Sequence, residues 1–203
     1  MPFKKLHPNI KEKLESQEIV TPTPFQKKSI PVIKSGINTY CIAPKDSGKT
    51  TALILTTLNA LKCQAEGNAP RAVILVENKE KGLALYETFL MYTKHNSLRV
   101  YVGYEELHID VQKSEIFMGV DILISTPKTM NRLFLLNGVN TAAIKTISVD
   151  DAEFLSQKSM YSAIMSITQS INKCQFVLYS ETMHPMLKRF KSYFMEYSKI
   201  VTL

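Results

Sequence analysis

Residues 38–58 read NTYCIAPKDSGKTTALILTTL, and the fold class follows from this stretch. A short apolar run, 38–43, leads into a loop with lysine, glycine and hydroxyl side chains, and a longer, largely apolar segment begins at Lys49. Continuous apolar runs of this length are typical of strands buried on both faces, whereas the longer segment has the length of a helix. The stretch predicts a strand, a tight loop and a helix in immediate succession.

The loop in this stretch, 43–50, matches a phosphate-binding motif. In the motif G-x-x-x-x-G-K-[ST], backbone N–H groups surround phosphates at a helix N-terminus, the lysine neutralises charge and the hydroxyl binds Mg²⁺. Gly48, Lys49 and Thr50 occupy the last three positions, and Ala43 replaces the leading glycine. The alternative is a chance G-K-T in an unrelated loop, but the predicted strand and helix are the context that the motif requires.

The same alternation of short apolar runs and longer helical segments extends along the chain. Predicted strands cover 38–43, 71–76, 98–102, 121–125, 146–150 and 174–180, with one more in 200–203, and predicted helices cover 8–16, 49–62, 79–95, 127–137, 157–170 and 185–197. This alternation implies a single α/β domain with a parallel sheet of about six or seven strands and helices on both faces. In such sheets the ligand site lies at the carboxyl ends of the strands.

The composition excludes several other classes of protein. The chain has 45% apolar and 21% charged residues, which is ordinary for a globular domain. Three separated cysteines suggest no disulfide framework, and four histidines have no metal-ligand spacing. Residues 1–14 carry charges throughout and have no apolar core of signal-peptide length, and no segment has the roughly 20 apolar residues of a membrane span, so we expect a soluble, intracellular protein. A net charge of +7 favours a polyanionic partner, either nucleic acid or an acidic membrane surface.

A cluster of acids follows the predicted strand 146–150. Asp150, Asp151 and Glu153 lie at its carboxyl end, about a hundred residues after Lys49. In phosphate-loop motors the first such acid helps to hold Mg²⁺, and the next orients or activates the attacking water. An alternative role is a helix N-cap, where Asp is favoured, and the two roles are compatible.

These motifs, together with Pro22-Thr23-Pro24-Phe25-Gln26, resemble those of the DEAD-box RNA helicases. That family has a phosphate loop A-x-T-G-S-G-K-T, an acidic turn Asp-Glu-Ala-Asp and a Q motif whose glutamine amide matches the adenine edge. The resemblance covers nearly the whole chain and implies the first, ATP-binding RecA-like domain of a helicase. It implies an N-terminal helix and Q-motif region in 1–36 and a phosphate-loop core in 37–203.

The resemblance also assigns roles to individual residues. It implies that Lys49, Asp150 and Asp151 are catalytic and that Thr50 and Asp150 hold Mg²⁺. The implied ATP-binding residues are Phe3, as a ring stacked on the base, Gln26, Pro44, Lys45, Asp46, Ser47, Gly48, Lys49 and Thr50. The implied RNA contacts are Lys79, Gly103, Thr126 and Lys128, and the residues that couple hydrolysis to RNA are Glu153, Ser180 and Thr182. The expected partners are RNA and a second RecA-like domain, with no membrane partner.

Departures from the family pattern lie mainly at catalytic positions. Lys45 and Asp46 replace Thr and Gly, Asp151 replaces a longer Glu, and Glu181 brings an extra acid near Glu153. We therefore expect binding of ATP and RNA with weakened or lost hydrolysis, and no unwinding by this chain alone. Such altered motifs resemble those of Tudor-domain-containing helicase-like proteins of the piRNA pathway. This resemblance implies RNA-silencing partners and a cytoplasmic location, with perinuclear RNA granules as the narrower alternative.

Two other functions stay open at this point. The first is an interaction scaffold on the same fold, a catalytically inactive pseudo-helicase in RNA silencing. The second is another phosphate-loop enzyme, such as a GTPase or a small-molecule kinase. The guanine-reading motif N-K-x-D is incomplete in Asn78-Lys79-Glu80-Lys81, and a GTPase would leave Gln26 unexplained.

Overall fold

The computed structural model describes residues 2–171 and 173–203, and it confirms the predicted α/β architecture. One sheet of seven parallel strands carries helices on both faces. The strands are β1 Thr39–Ile42, β2 Ala72–Leu75, β3 Val100–Gly103, β4 Ile122–Ser125, β5 Thr146–Val149, β6 Gln175–Ser180 and β7 Lys199–Thr202. The helices are α1 Pro8–Ser16, α2 Pro24–Lys34, α3 Lys49–Ala60, α4 Lys79–Thr93, α5 Ile109–Gly119, α6 Pro127–Leu135, α7 Lys158–Gln169 and α8 Pro185–Arg189.

The order of strands in the sheet is β3-β4-β2-β5-β6-β1-β7. Because all neighbours are parallel, every strand ends at the same edge of the sheet. The loops that follow β1, β6 and β5 therefore lie side by side, and the loops that follow β2, β4 and β3 adjoin them. The two halves of this edge correspond to the predicted nucleotide-binding and RNA-binding motifs.

Alternate residues of each strand pack into two separate hydrophobic layers. In β2, Val73 and Leu75 face one layer, whereas Ala72 and Ile74 face the other, and all four are buried. Burial of both faces explains why the strands read as continuous apolar runs rather than as alternating ones. The first residues of the chain contribute to one of these layers, since Leu6 packs in the same cluster as α3.

The helix predicted at 185–197 is wrong in its length. The α-helix α8 ends at Arg189 and continues only as a short 3-10 helix, Phe190–Ser192. The aromatic ring of Phe190 is buried against Tyr161 and Phe194, with ring centroids 5.5 Å and 4.8 Å away. Phe190 and Phe194, which the predicted helix would have contained, thus pack in an aromatic cluster outside any long helix.

Two helices, α2 and α5, were absent from the predicted elements. Helix α2 begins with a capping box in which Thr23 and Gln26 bond each other's backbone, and it tolerates Pro31 in its interior. Helix α5 leaves large apolar side chains exposed, including Phe117 and Met118, so its sequence lacks a clear apolar stripe. Within the described residues, the helices are all too short or too polar to cross a membrane.

Candidate functional site

The phosphate loop joins β1 to α3 and is supported by residues of the Q motif. Thr23 donates a hydrogen bond to the carbonyl of Ser47 (2.7 Å), and the Gln26 amide donates one to the carbonyl of Gly48 (3.2 Å). Gly48 has a φ of +90°, and an added Cβ there would lie 2.5 Å from Gln26 Nε2. Only glycine suits both the left-handed backbone and this close approach.

The amide of Gln26 is largely occupied within the protein. Its Oε1 accepts from the backbone N–H of Thr23 at 3.0 Å, and the side chain is 3% exposed. The predicted ring Phe3 is also buried and packs in a hydrophobic cluster. The Gln26 side chain thus connects the start of α2 to the phosphate loop and stabilises the position of both.

Lys49 lies in the centre of the phosphate loop. Its ammonium donates to the carbonyls of Ala43 (2.6 Å) and Pro44 (2.8 Å), and the residue is buried. A lysine has three N–H donors, so one donor is left after these two bonds. The ammonium also lies close enough to Asp150 to favour the ionised form of that acid. The positive charge of Lys49 therefore lies near the negative charge of Asp150.

An open cavity lies over the phosphate loop. Its volume is about 470 Å³, and its lining residues are Lys45, Asp46, Gly48, Lys49, Thr50, Thr51 and Asp151. Asp46 has a φ of +58°, a left-handed conformation at the position where the family pattern has glycine. The loop can adopt its shape without that glycine because Asp is among the residues that tolerate this region best.

Asp150 directly follows β5 and faces the end of the phosphate loop. Burial raises the pKa of Asp150 to about 6, with a further increase from Asp151, while Lys81, Lys49 and the hydroxyl of Thr50 act in the opposite direction. Its Oδ1 is buried and has no hydrogen-bond partner in the part of the chain that the structure describes. A carboxylate oxygen without a partner, beside a threonine hydroxyl, suits a Mg²⁺ ion shared with phosphates.

Asp151 has a left-handed backbone, with a φ of +50°. It occupies the N-cap of the 3-10 helix Ala152–Ser156, but its side chain makes no capping bond. Instead, its Oδ2 accepts from Lys81 Nζ at 3.1 Å. The capping alternative therefore does not account for this acid, because its carboxylate is directed to an ion pair.

The three predicted coupling residues meet between the ends of β5 and β6. The Ser180 hydroxyl lies 2.6 Å from Glu153 Oε1 and 2.7 Å from the carbonyl of Thr182. The same Glu153 oxygen accepts from the backbone N–H of Glu181. The side chain of Glu181 pairs with Lys45 (3.9 Å), so the extra acid is turned toward the phosphate loop.

On the RNA side, two of the predicted contacts are engaged within the chain. The ammonium of Lys79 lies 4.9 Å from the centre of the Tyr104 ring, a cation–π arrangement. The hydroxyl of Thr126 donates to Glu105 (2.9 Å) and accepts from the N–H of Thr129 (3.3 Å). Tyr104 and Glu105 thus cover groups that the family resemblance assigns to RNA phosphates.

The other two predicted RNA contacts differ from each other. Gly103 is buried, and a Cβ there would lie 2.7 Å from the side chain of Gln112. Close packing at the end of β3 therefore explains why this position is a glycine. Lys128 is exposed near the start of α6, where its charge is accessible. These loops adjoin at the carboxyl edge, as the strand order requires.

Sequence reasoning missed the residues that hold the acids and hydroxyls of the site. Lys81 bonds Asp151, and Glu105 bonds Thr126, across loops that are distant in sequence. The spacing of Glu77 and Lys81 is a visible i,i+4 pair, which predicts part of the Lys81 environment. Nothing in the sequence pattern indicates the longer-range partners.

Comparisons with known proteins agree with this geometry. A family model described as DEAD/DEAH box helicase matches residues 23–190. The chain is 31% identical over 153 residues to the ATP-dependent RNA helicase RhlB of Shewanella oneidensis, covering 73% of this chain and 35% of RhlB. The curated relatives that it matches first are much longer, since it spans 18% of one and 35% of another.

Two solved structures share the fold. A DEAD box protein from the hyperthermophile Methanococcus jannaschii has a TM-score of 0.89 at 20% identity, covering 98% of this chain and 54% of that one. The yeast DEAD-box splicing factor Prp28 has a TM-score of 0.83 at 16% identity, covering 96% of this chain and 49% of that one. The family match extends over most of the chain, from the Q motif to the segment after β6. The chain therefore belongs to the DEAD/DEAH box helicase family.

Proposed function

We propose that this chain is the first RecA-like domain of an RNA-dependent ATPase, binding ATP with Mg²⁺ and RNA but hydrolysing ATP slowly. The observation that carries the proposal is a buried Lys49 ammonium near an Asp150 oxygen that has no hydrogen-bond partner among the described residues, beside an open cavity. Burying an unpaired carboxylate oxygen is costly unless a cation or donor arrives in the bound state.

Each residue of the nucleotide half has a role in this proposal. Lys49 neutralises phosphate charge, and the backbone N–H groups at Gly48 and Thr50 bind phosphate oxygens at the start of α3. Thr50 and Asp150 would hold Mg²⁺, which when bound would supply positive charge against the phosphates. Gln26 holds the phosphate loop in place, because its amide donates to the carbonyl of Gly48.

Slow hydrolysis follows from the state of Asp151. Its carboxylate is shorter than the family's Glu by one methylene group, and its Oδ2 accepts a hydrogen bond from Lys81. A misplacement of roughly 1 Å in a catalytic group can cost about 100-fold in rate. The acid that orients or activates water is therefore both displaced and partly occupied.

RNA would bind along the ends of β2, β4 and β3, where Lys79, Thr126 and Lys128 are placed. The remaining contacts, and the arginines that complete the ATP site, would come from a second RecA-like domain. We expect no duplex unwinding by residues 1–203 as a single domain, which a strand-displacement assay measures. Release of the displaced strand by this chain alone would contradict the expectation.

Calorimetric titration of ATP with Mg²⁺ tests the nucleotide half. Wild-type protein and Lys113→Ala, which changes a lysine of α5, should bind saturably, whereas Lys49→Ala should lose binding. Saturable binding by Lys49→Ala at the wild-type affinity, or no binding by the wild type, would refute the proposed nucleotide role. Thermal denaturation of each variant verifies that the fold is intact.

A second candidate function is a scaffold that does not use nucleotide turnover, working with RNA-silencing proteins in the cytoplasm. The observation in its favour is that Tyr104 and Glu105 cover the Lys79 and Thr126 side chains. RNA binding separates the two functions. A scaffold should show no salt-dependent affinity for single-stranded oligouridine, whereas an RNA-binding domain should lose affinity linearly on a logarithmic scale of salt.

A further inference from the structure

Lys81, near the start of α4, lies between the acidic turn that follows β5 and the loop that follows β2. Its Nζ is 3.1 Å from Asp151 Oδ2 and 3.1 Å from Glu77 Oε2. The three side chains are partly exposed, at 42% for Lys81, 43% for Asp151 and 35% for Glu77. One ammonium therefore bridges two carboxylates that belong to different loops.

The position of Lys81 is fixed by its backbone. It lies in the first turn of α4, where the Asn78 side chain accepts from the Lys81 N–H at 3.0 Å. The strands that precede the two loops are neighbours, with Leu75 of β2 paired to Val149 of β5. The short distance from α4 to the acidic turn is therefore built into the strand order, which is a property of the fold.

The ion pair has a chemical consequence for water activation. An acid that orients or deprotonates water needs a free lone pair toward the proton that the water gives up. The ammonium of Lys81 occupies one of the roughly four lone-pair sites of the Asp151 carboxylate, so it restricts the orientation in which the remaining sites can meet a water. Because Glu77 bonds the same ammonium, it withdraws part of that interaction from Asp151.

We propose that Lys81 is a positioning residue that restrains the Asp151 carboxylate and slows hydrolysis, with Glu77 as the competing partner that moderates the restraint. The inference rests on the proposed ATPase function and names a regulatory contact of that site. It assigns opposite effects to two residues of one ion-pair network. Movement of Glu77 or of the first turn of α4 would change the freedom of Asp151.

Single-turnover hydrolysis of γ-labelled ATP with Mg²⁺, with this chain in excess over ATP, tests the inference. Lys81→Met should raise the rate constant about two- to fivefold, the range that an exposed ion pair supplies. Glu77→Gln should lower it by about twofold, since Lys81 then pairs with Asp151 alone. Lys81→Arg should stay near the wild-type rate, because an arginine can also bond a carboxylate. Lys113→Met is the matched control and should not change it.

The half-saturating protein concentration, from the same experiment, separates positioning from loss of structure. We expect it to change less than the rate constant in Lys81→Met and Glu77→Gln. An unchanged or lower rate constant in Lys81→Met, or changes of the same sign in both variants, would overturn the inference. If the wild type and every variant bound ATP but none hydrolysed it, the inference would be overturned, whereas the proposed binding of nucleotide would stand. Failure of the wild type to bind ATP would refute the proposed function and the inference together.

Discussion

Replacement of Asp46 should tighten ATP binding for two reasons, the charge of its carboxylate and the conformation of its backbone. The residue has a φ of +58° in the phosphate loop, and its exposed side chain lines the cavity. Its carboxylate adds negative charge where phosphates would bind. Its Cβ also places a side chain in a left-handed region that glycine enters freely. Asp46→Asn removes the charge but keeps a side chain that tolerates this backbone, whereas Asp46→Gly removes both.

The charge is the larger effect on affinity. Two unit charges about 4 Å apart interact by about 1 kcal/mol in water and about 4 kcal/mol at an effective dielectric of 20. Because the Asp46 side chain is exposed, the lower value applies, which corresponds to about a fivefold change in Kd. The backbone contribution to stability is small in Asp46→Gly, since relief of strain of roughly 1–2 kcal/mol is partly offset by about 0.4–1 kcal/mol of added chain entropy in the unfolded state.

Titration with a fluorescent ATP analogue and Mg²⁺ measures this prediction. Asp46→Asn and Asp46→Gly should both bind about fivefold more tightly than wild type at low salt. The gain should shrink at about 1 M salt, where the Debye length is about 3 Å. Equal affinities of wild type and Asp46→Asn at low salt would refute the electrostatic reasoning. A gain confined to Asp46→Gly would assign the defect to the backbone instead.

Three further variants test other parts of the molecule. Asp150→Asn should raise the free energy of unfolding on the order of 2 kcal/mol at about pH 8 and change it little at about pH 4. Burial raises the pKa of Asp150 to about 6, so the buried carboxylate is charged and destabilises the fold only above that pH. Urea denaturation that shows the same effect of the substitution at both pH values would contradict this. Gly48→Ala should lower stability by about 1–2 kcal/mol and weaken ATP binding, since the new Cβ displaces Gln26; an unchanged melting temperature and Kd would show that the loop relaxes freely. Arg71→Met should cost about 3 kcal/mol in thermal denaturation, because it leaves the fully buried Asp121 with one arginine partner fewer, and a loss below about 1 kcal/mol would show that the remaining pair suffices.

The layered fold was predictable because its signals are local. Strands such as β2 and β4 are buried on both faces, so their apolar runs are continuous and visible in the sequence. Parallel alternation then places the residues after each strand at one edge, where Lys49 lies close enough to Asp150 to lower the pKa of that acid. Helix α5 escaped prediction because its exposed Phe117 and Met118 obscure the periodicity that burial usually imposes.

The contacts that tune the site depend on strand order, which periodicity does not specify. Lys81 reaches Asp151 only because β2 is paired with β5. Glu105 reaches Thr126 only because β3 is paired with β4. The i,i+4 relation of Glu77 to Lys81 was visible, but its significance depends on a third residue 70 positions away. The sequence therefore predicts which residues gather at the edge better than which atoms bond.

The two halves of the edge differ in what binding would have to displace. In the nucleotide half, Asp150 Oδ1 has no hydrogen-bond partner within residues 2–171 and 173–203, so a cation can be accommodated without breaking a hydrogen bond there. In the RNA half, the Thr126 hydroxyl already donates to Glu105, and Lys79 already contacts Tyr104. A phosphate that approaches Thr126 must therefore replace a carboxylate, and a carboxylate that stays about 4 Å away would repel it by about 1 kcal/mol in water. Movement of the Glu105 side chain is thus a condition for phosphate binding at Thr126, and the nucleotide site carries no comparable condition at Asp150.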